Sequence, residues 1–166
     1  MRVISVSEIG DLLWTEAANL APGPAEILID VKATAINRAD LMQRKGLYPP
    51  PPGAPQTMGL ECAGVVAAVG RDVTHHQVGD RVCALLAGGG YAEYITIHED
   101  MLIDIPDTMT YSEAAAIPEV FLTAFQALSH LSELKSDERV LIHAGASGVG
   151  TAAIQLSRAL GAREVI

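Results

Sequence analysis

The chain has 166 residues, 49% of them hydrophobic and 19% charged, with 11 basic side chains against 20 acidic ones and a net charge of −9. That length and apolar content suffice for one good core, or one domain and part of another. The acidity disfavours non-specific binding to nucleic acid or an anionic membrane. Residues 1–8 lack the apolar core of a signal peptide, and no run is long enough to span a bilayer. A cytoplasmic address is expected, with Cys62 and Cys83 as free thiols.

Strand-like apolar runs fill the first two thirds of the chain, at residues 2–6, 26–36, 62–69, 81–86, 91–97 and 102–105. Turn chemistry separates them: residues 21–24, 49–53, 70–72, 78–80 and the glycine triplet 88–90. Short, unevenly spaced strands of this kind predict a compact barrel-like β domain. One short helix is predicted within residues 37–45. The four prolines Pro49 to Pro52 could form a polyproline ligand, but beside Tyr48 and Gly53 they read as a rigid loop inside a domain. His75 and His76 read as a solvated loop pair.

After Pro106 the pattern changes. Thr110 supplies a helix start signal, and Pro118 opens a second predicted helix that runs to about Leu131. A strand over residues 139–143 leads to Gly145, Ala146, Ser147, Gly148, Val149 and Gly150, followed by a helix over residues 151–160. Gly161 stands where a left-handed helix end is expected, and a second strand starts near Arg163. The fold class is therefore mixed β and α/β. A β domain over residues 1–116 hands over to the first part of a parallel, doubly wound sheet over residues 117–166.

Small residues between a strand and a helix let a backbone approach phosphates, and the helix N-terminus offers unpaired N–H groups. Residues 145–150 thus predict a dinucleotide pyrophosphate site, although Ser147 replaces the second glycine of the usual fingerprint. A strand-to-helix turn with no ligand is the competing reading. A nucleophile elbow is less consistent, because the final glycine of that motif is missing. The position that usually contacts the adenosine ribose would lie beyond Ile166, so the glycine loop does not choose between NADP and NAD.

Residues 37–53, Gly59 to Gly64, Val78 to Val82, Gly89 to Tyr94, Ala115 to Glu119, Leu122 to Gln126 and the glycine loop together resemble, in order, the zinc-independent, zeta-crystallin-like quinone oxidoreductases of the medium-chain dehydrogenase/reductase superfamily. The likeness is greatest to the tumour-suppressor-inducible type. It implies a GroES-like β-barrel domain, a Rossmann domain, an active-site cleft between them, and NADPH as hydride donor. Zinc-dependent relatives need a cysteine and a histidine where this chain has Asn37 and Leu60, and only two cysteines exist in all, so no metal site is expected.

Without a metal, hydride transfer to a quinone or enone calls for hydrogen-bond donors aimed at the developing oxyanion. Tyr48 is the first candidate and Asn37 the second; the alternatives are a ring packed on prolines and an amide that satisfies local backbone. The resemblance places Thr123 near the nicotinamide, where its hydroxyl would bond the carboxamide; otherwise it bonds its own helix. Gly90 and Tyr91 either edge the cleft or merely follow a loop. Asp40 reads as a structural acid at a helix start. An enoyl reductase acting on an α,β-unsaturated thioester keeps the chemistry and changes the substrate. A truncated, non-catalytic fragment is the third reading, and would associate through an uncovered helix face and bind NADPH weakly. Relatives of full length are expected to be homo-oligomers.

Overall fold

A computed structural model describes all residues, Met1–Ile166. The chain forms two units, Met1–Pro118 and Glu119–Ile166.

The first unit is organised by β3 (Glu26–Thr34) and β4 (Glu61–Val69), the two longest strands. They pair antiparallel, flanked by β5 (Arg81–Leu85), β6 (Tyr94–His98) and β7 (Leu102–Asp104), in the order β6-β3-β4-β5-β7. Irregular register between Leu28 and Ile29, and between Val31 and Ala33, interrupts the β3–β4 ladder; such bulges bend and twist a sheet. Side-chain alternation then builds two cores. Ile27, Ile29, Cys62, Val66, Val82 and Ala84 pack on one face, while Ala63 and Cys83 meet Ile105, Ala114 and Ala115 on the other. The two cysteines therefore face opposite ways, and both are free thiols. Burial pushes Cys62 up to about 12 and Cys83 up to about 11, which makes both poor nucleophiles.

β1 (Arg2–Val6) pairs antiparallel with β2 (Leu12–Glu16) in a separate hairpin. The hairpin is stitched to the rest of the unit through residues 91–93: Ile4 N–H donates to Tyr91 O at 2.8 Å, and Glu93 N–H to Arg2 O at 3.1 Å. The Glu93 carboxylate accepts from both the backbone and the guanidinium of Arg2, which lowers its pKa.

The predicted short helix is α1 (Arg38–Arg44), and Thr110 caps α2 (Tyr111–Ala114) reciprocally with Glu113. His76 departs from expectation. Its side chain is 11% exposed, with Nε2 3.4 Å from Asp104 Oδ1, because the loop that carries it is pinned to Glu99. The buried Glu99 carboxylate accepts from the amides of Thr74 and His75, both at 2.9 Å, and these bonds hold its pKa down.

Residues 118–131 form α3 (Pro118–Phe125), which continues into a π-helical turn, Gln126–Leu131. In the second unit β8 (Arg139–Val140) runs parallel to β9 (Glu164–Val165), connected through α4 (Gly148–Ala159). Pairing extends past the strand ends, since Ile142 N–H donates to Ile166 O at 2.8 Å. Ala124, Leu128, Ala152 and Ala153 make the core of this unit. α4 ends in a Schellman motif: Gly161 has φ 85, its N–H donates to Arg158 O, and Ala162 N–H donates to Ser157 O. His143 is exposed. No helix is long and apolar enough to cross a membrane.

Candidate functional site

The polar centre of the first unit is built where α1 starts. Asn37 is extended and caps the helix; its N–H donates to Asp40 Oδ2 at 2.7 Å, and its side-chain Nδ2 donates to Glu61 Oε1, also at 2.7 Å. Asp40 and Glu61 are each only 2% exposed. Two buried carboxylates are thus joined through one asparagine, an arrangement that is stable only where hydrogen bonds offset the lost hydration. Asp40 stands in the first turn of α1, as expected for an acid at a helix start, and it is buried there.

Tyr91 joins this cluster because of the glycines around it. Gly59, with φ 101, packs on the Tyr91 ring, and a Cβ there would lie 2.6 Å from Tyr91 N. A Cβ on Gly90 would lie 2.7 Å from Glu61 O, so only glycine lets the loop run so close to the head of β4. The Tyr91 hydroxyl makes a long contact, 3.4 Å, to Ala35 O. Burial first, and the Asp40 carboxylate second, push the Tyr91 pKa upward, so the phenol stays protonated. Asp40 Oδ1 is buried with no hydrogen bond. A cavity of about 300 Å³ reaches Tyr91 and is lined also by Thr34, Lys32, Trp14 and Gly90. It does not include Asn37 or Tyr48.

Tyr48 lies outside the cluster. It is 45% exposed and makes no hydrogen bond within the chain, so its hydroxyl is available to an external acceptor. Sequence reasoning did not single out Glu61. The available signal was a lone acid opening an otherwise apolar strand. No three His, Cys, Asp or Glu side chains converge to hold a metal ion.

In the second unit, residues 145–150 are divided differently from the expectation of a loop followed by a helix at Thr151. Ser147 is the N-cap, and Gly148, Val149 and Gly150 already form the first turn of α4. Ser147 Oγ accepts from Gly150 N–H at 3.0 Å, so the serine in place of the fingerprint glycine does the work of a cap. The amides of Gly148 and Val149 have no partner in the chain. They sit at the positive end of a 12-residue helix. Gly150 is obligatory: a Cβ would lie 2.4 Å from Ala144 O. Ala144 itself takes φ 57, uncommon for a residue with a side chain. Gly145 and Ala146 precede the cap, and Thr123 is exposed on α3.

A five-stranded antiparallel unit followed by a strand–glycine turn–helix–strand unit defines a medium-chain dehydrogenase/reductase architecture, and residues 23–107 match the family model for the alcohol dehydrogenase GroES-like domain. The chain belongs to that family. The human synaptic vesicle membrane protein VAT-1 homolog is 43% identical over 86% of this chain and 36% of its own length. Among solved structures, the CurK enoyl reductase superposes with a TM-score of 0.89 at 37% identity, over 98% of this chain and 52% of that one. Escherichia coli quinone oxidoreductase complexed with NADPH gives 0.83 at 36% identity, over 98% and 51%. The chain thus spans about a third of this curated relative and about half of these solved ones.

Proposed function

We propose that this protein is a zinc-free, NADPH-dependent oxidoreductase that delivers hydride to a quinone or another activated carbonyl compound. The observation that carries this reading is the Asn37 amide, a neutral donor held by a buried carboxylate where zinc-dependent members need a metal ligand. Such a donor, already oriented, stabilises charge that develops on a substrate oxygen without having to reorganise. Tyr48, with a hydroxyl free of intrachain bonds, is the second donor.

The residues of the second unit fit a dinucleotide. The unpaired amides of Gly148 and Val149 would hold the pyrophosphate, with Gly145, Ala146 and Gly150 keeping the approach clear and Ser147 fixing the turn. The Thr123 hydroxyl would hold the carboxamide. When bound, the nicotinamide supplies the hydride. Asn37 and Tyr48 would hold the substrate oxygen while it becomes an oxyanion, and a proton from solvent or a nearby hydroxyl completes the reduction.

The likeness to an enoyl reductase favours a second reading, in which the acceptor is an α,β-unsaturated thioester. The same donors would polarise its carbonyl. A panel of quinones and enoyl thioesters assayed with the protein separates the two.

The test of the donors is Tyr48→Phe. Its kcat for the preferred acceptor should fall about tenfold or more, with NADPH binding unchanged, because the lost hydroxyl acts on the transition state. Unchanged turnover would leave Tyr48 as a wall of the site.

A further inference from the structure

A primary amide acts as a donor only if it turns its nitrogen to the right side, and its two ends are nearly identical in shape. Asn37 therefore needs something that tells nitrogen from oxygen. Glu61 does this: its Oε1 accepts from Nδ2 of Asn37 at 2.7 Å, which turns the nitrogen end of the amide toward Glu61.

Glu61 is itself held. It is 2% exposed, its backbone carbonyl accepts from Thr34 Oγ1 at 2.7 Å, and the Gly90 backbone closes over it. The main chain of Asn37 is fixed independently by Asp40, through the amide bond to Oδ2. With backbone and side chain anchored at separate carboxylates, Asn37 has one amide orientation available.

We propose that Glu61 is the positioning residue for Asn37, fixing its amide so that the second Nδ2 proton is presented to the substrate oxygen. This rests on the reading of Asn37 as a donor. In this role Glu61 acts through the orientation it gives Asn37. A glutamine at this position would fill the same space but could either accept or donate, and so would admit both orientations of Asn37.

The side-chain amide of Asn37 gives a direct readout by NMR on the chain itself. Its two protons should be unlike, one shifted downfield and slow to exchange, the other exchanging freely. In Glu61→Gln the added downfield shift and the protection should be lost, leaving the ordinary difference between the two protons of a planar amide, while the backbone spectrum stays native. In turnover assays, Glu61→Gln should lower kcat for a quinone about tenfold with the KM for NADPH unchanged, and Asn37→Ala about a hundredfold. Unaltered kcat in Glu61→Gln beside a crippled Asn37→Ala overturns the positioning role alone. Normal turnover in Asn37→Ala overturns the donor reading first, and the positioning role falls with it. If Glu61→Gln does not fold, the unmodified chain still decides: two Asn37 protons that exchange alike contradict the proposal.

Discussion

The two units bury their apolar residues very differently. In the first, Ile27, Ile29, Val66 and Val82 are fully buried between paired strands. In the second, the buried core is three alanines and one leucine, while Leu141 and Ile166 stand open to solvent. The chemistry divides the same way. Two buried carboxylates need hydrogen bonds that offset their lost hydration, and Asn37 supplies these in the first unit. The site proposed at the amides of Gly148 and Val149 asks only for a helix start and a tight turn, and the second unit has both.

The contrast predicts unequal responses to cavities. Ile29→Ala should cost about 2–5 kcal/mol, because a fully buried isoleucine between two strands leaves a hole the sheet cannot close. Leu128→Ala should cost less, since its π-helical turn lies beside exposed residues that can relax. Chemical denaturation followed by circular dichroism compares them, and equal losses would break the distinction.

Within the second unit, Gly150→Ala should cost about 1–3 kcal/mol and distort the turn, because the new methyl meets backbone at 2.4 Å. Gly148→Ala should be close to neutral: its nearest obstacle is the Val120 side chain at 3.1 Å, and alanine favours helix. Thermal melts of both variants, and their NADPH titrations, check this. Equal behaviour would mean that the turn tolerates what its geometry forbids.

The smallest effect concerns Glu99 in the first unit. Its pKa is lowered from 4.5, chiefly by the amides of His75 and Thr74. A carboxylate depressed by folding gives stability that is fully present above its unfolded pKa and is lost as pH falls through the folded one. Melting temperature should therefore be flat near neutrality and decline below about pH 4.5, and Glu99→Gln should soften that decline. An identical acid profile in the variant would show that the carboxylate contributes nothing there.

Much of this was legible in the sequence. The alternation of apolar residues located β3, β4, β5 and β7, Thr110 marked a helix start, and Gly161 marked a helix end, because each depends on local chemistry. β2 was hidden: Leu12, Leu13 and Trp14 are all exposed, so the hairpin has no buried face to impose a period of two. The first turn of α4 was hidden because glycines disguise helix, and the π-helical turn because nothing in residues 126–131 signals a change of pitch. Glu61 escaped notice because its hydrogen bond is to a partner 24 residues away. Tyr91 was legible only as a loop edge, since its place beside Asp40 is set by glycines that allow two backbones to touch.

The most direct test is NADPH oxidation by the protein when a quinone or enoyl thioester is added, measured with and without excess chelator. The account predicts turnover that the chelator leaves undiminished. Activity that the chelator abolishes and zinc restores, or no turnover with either acceptor class, would contradict it.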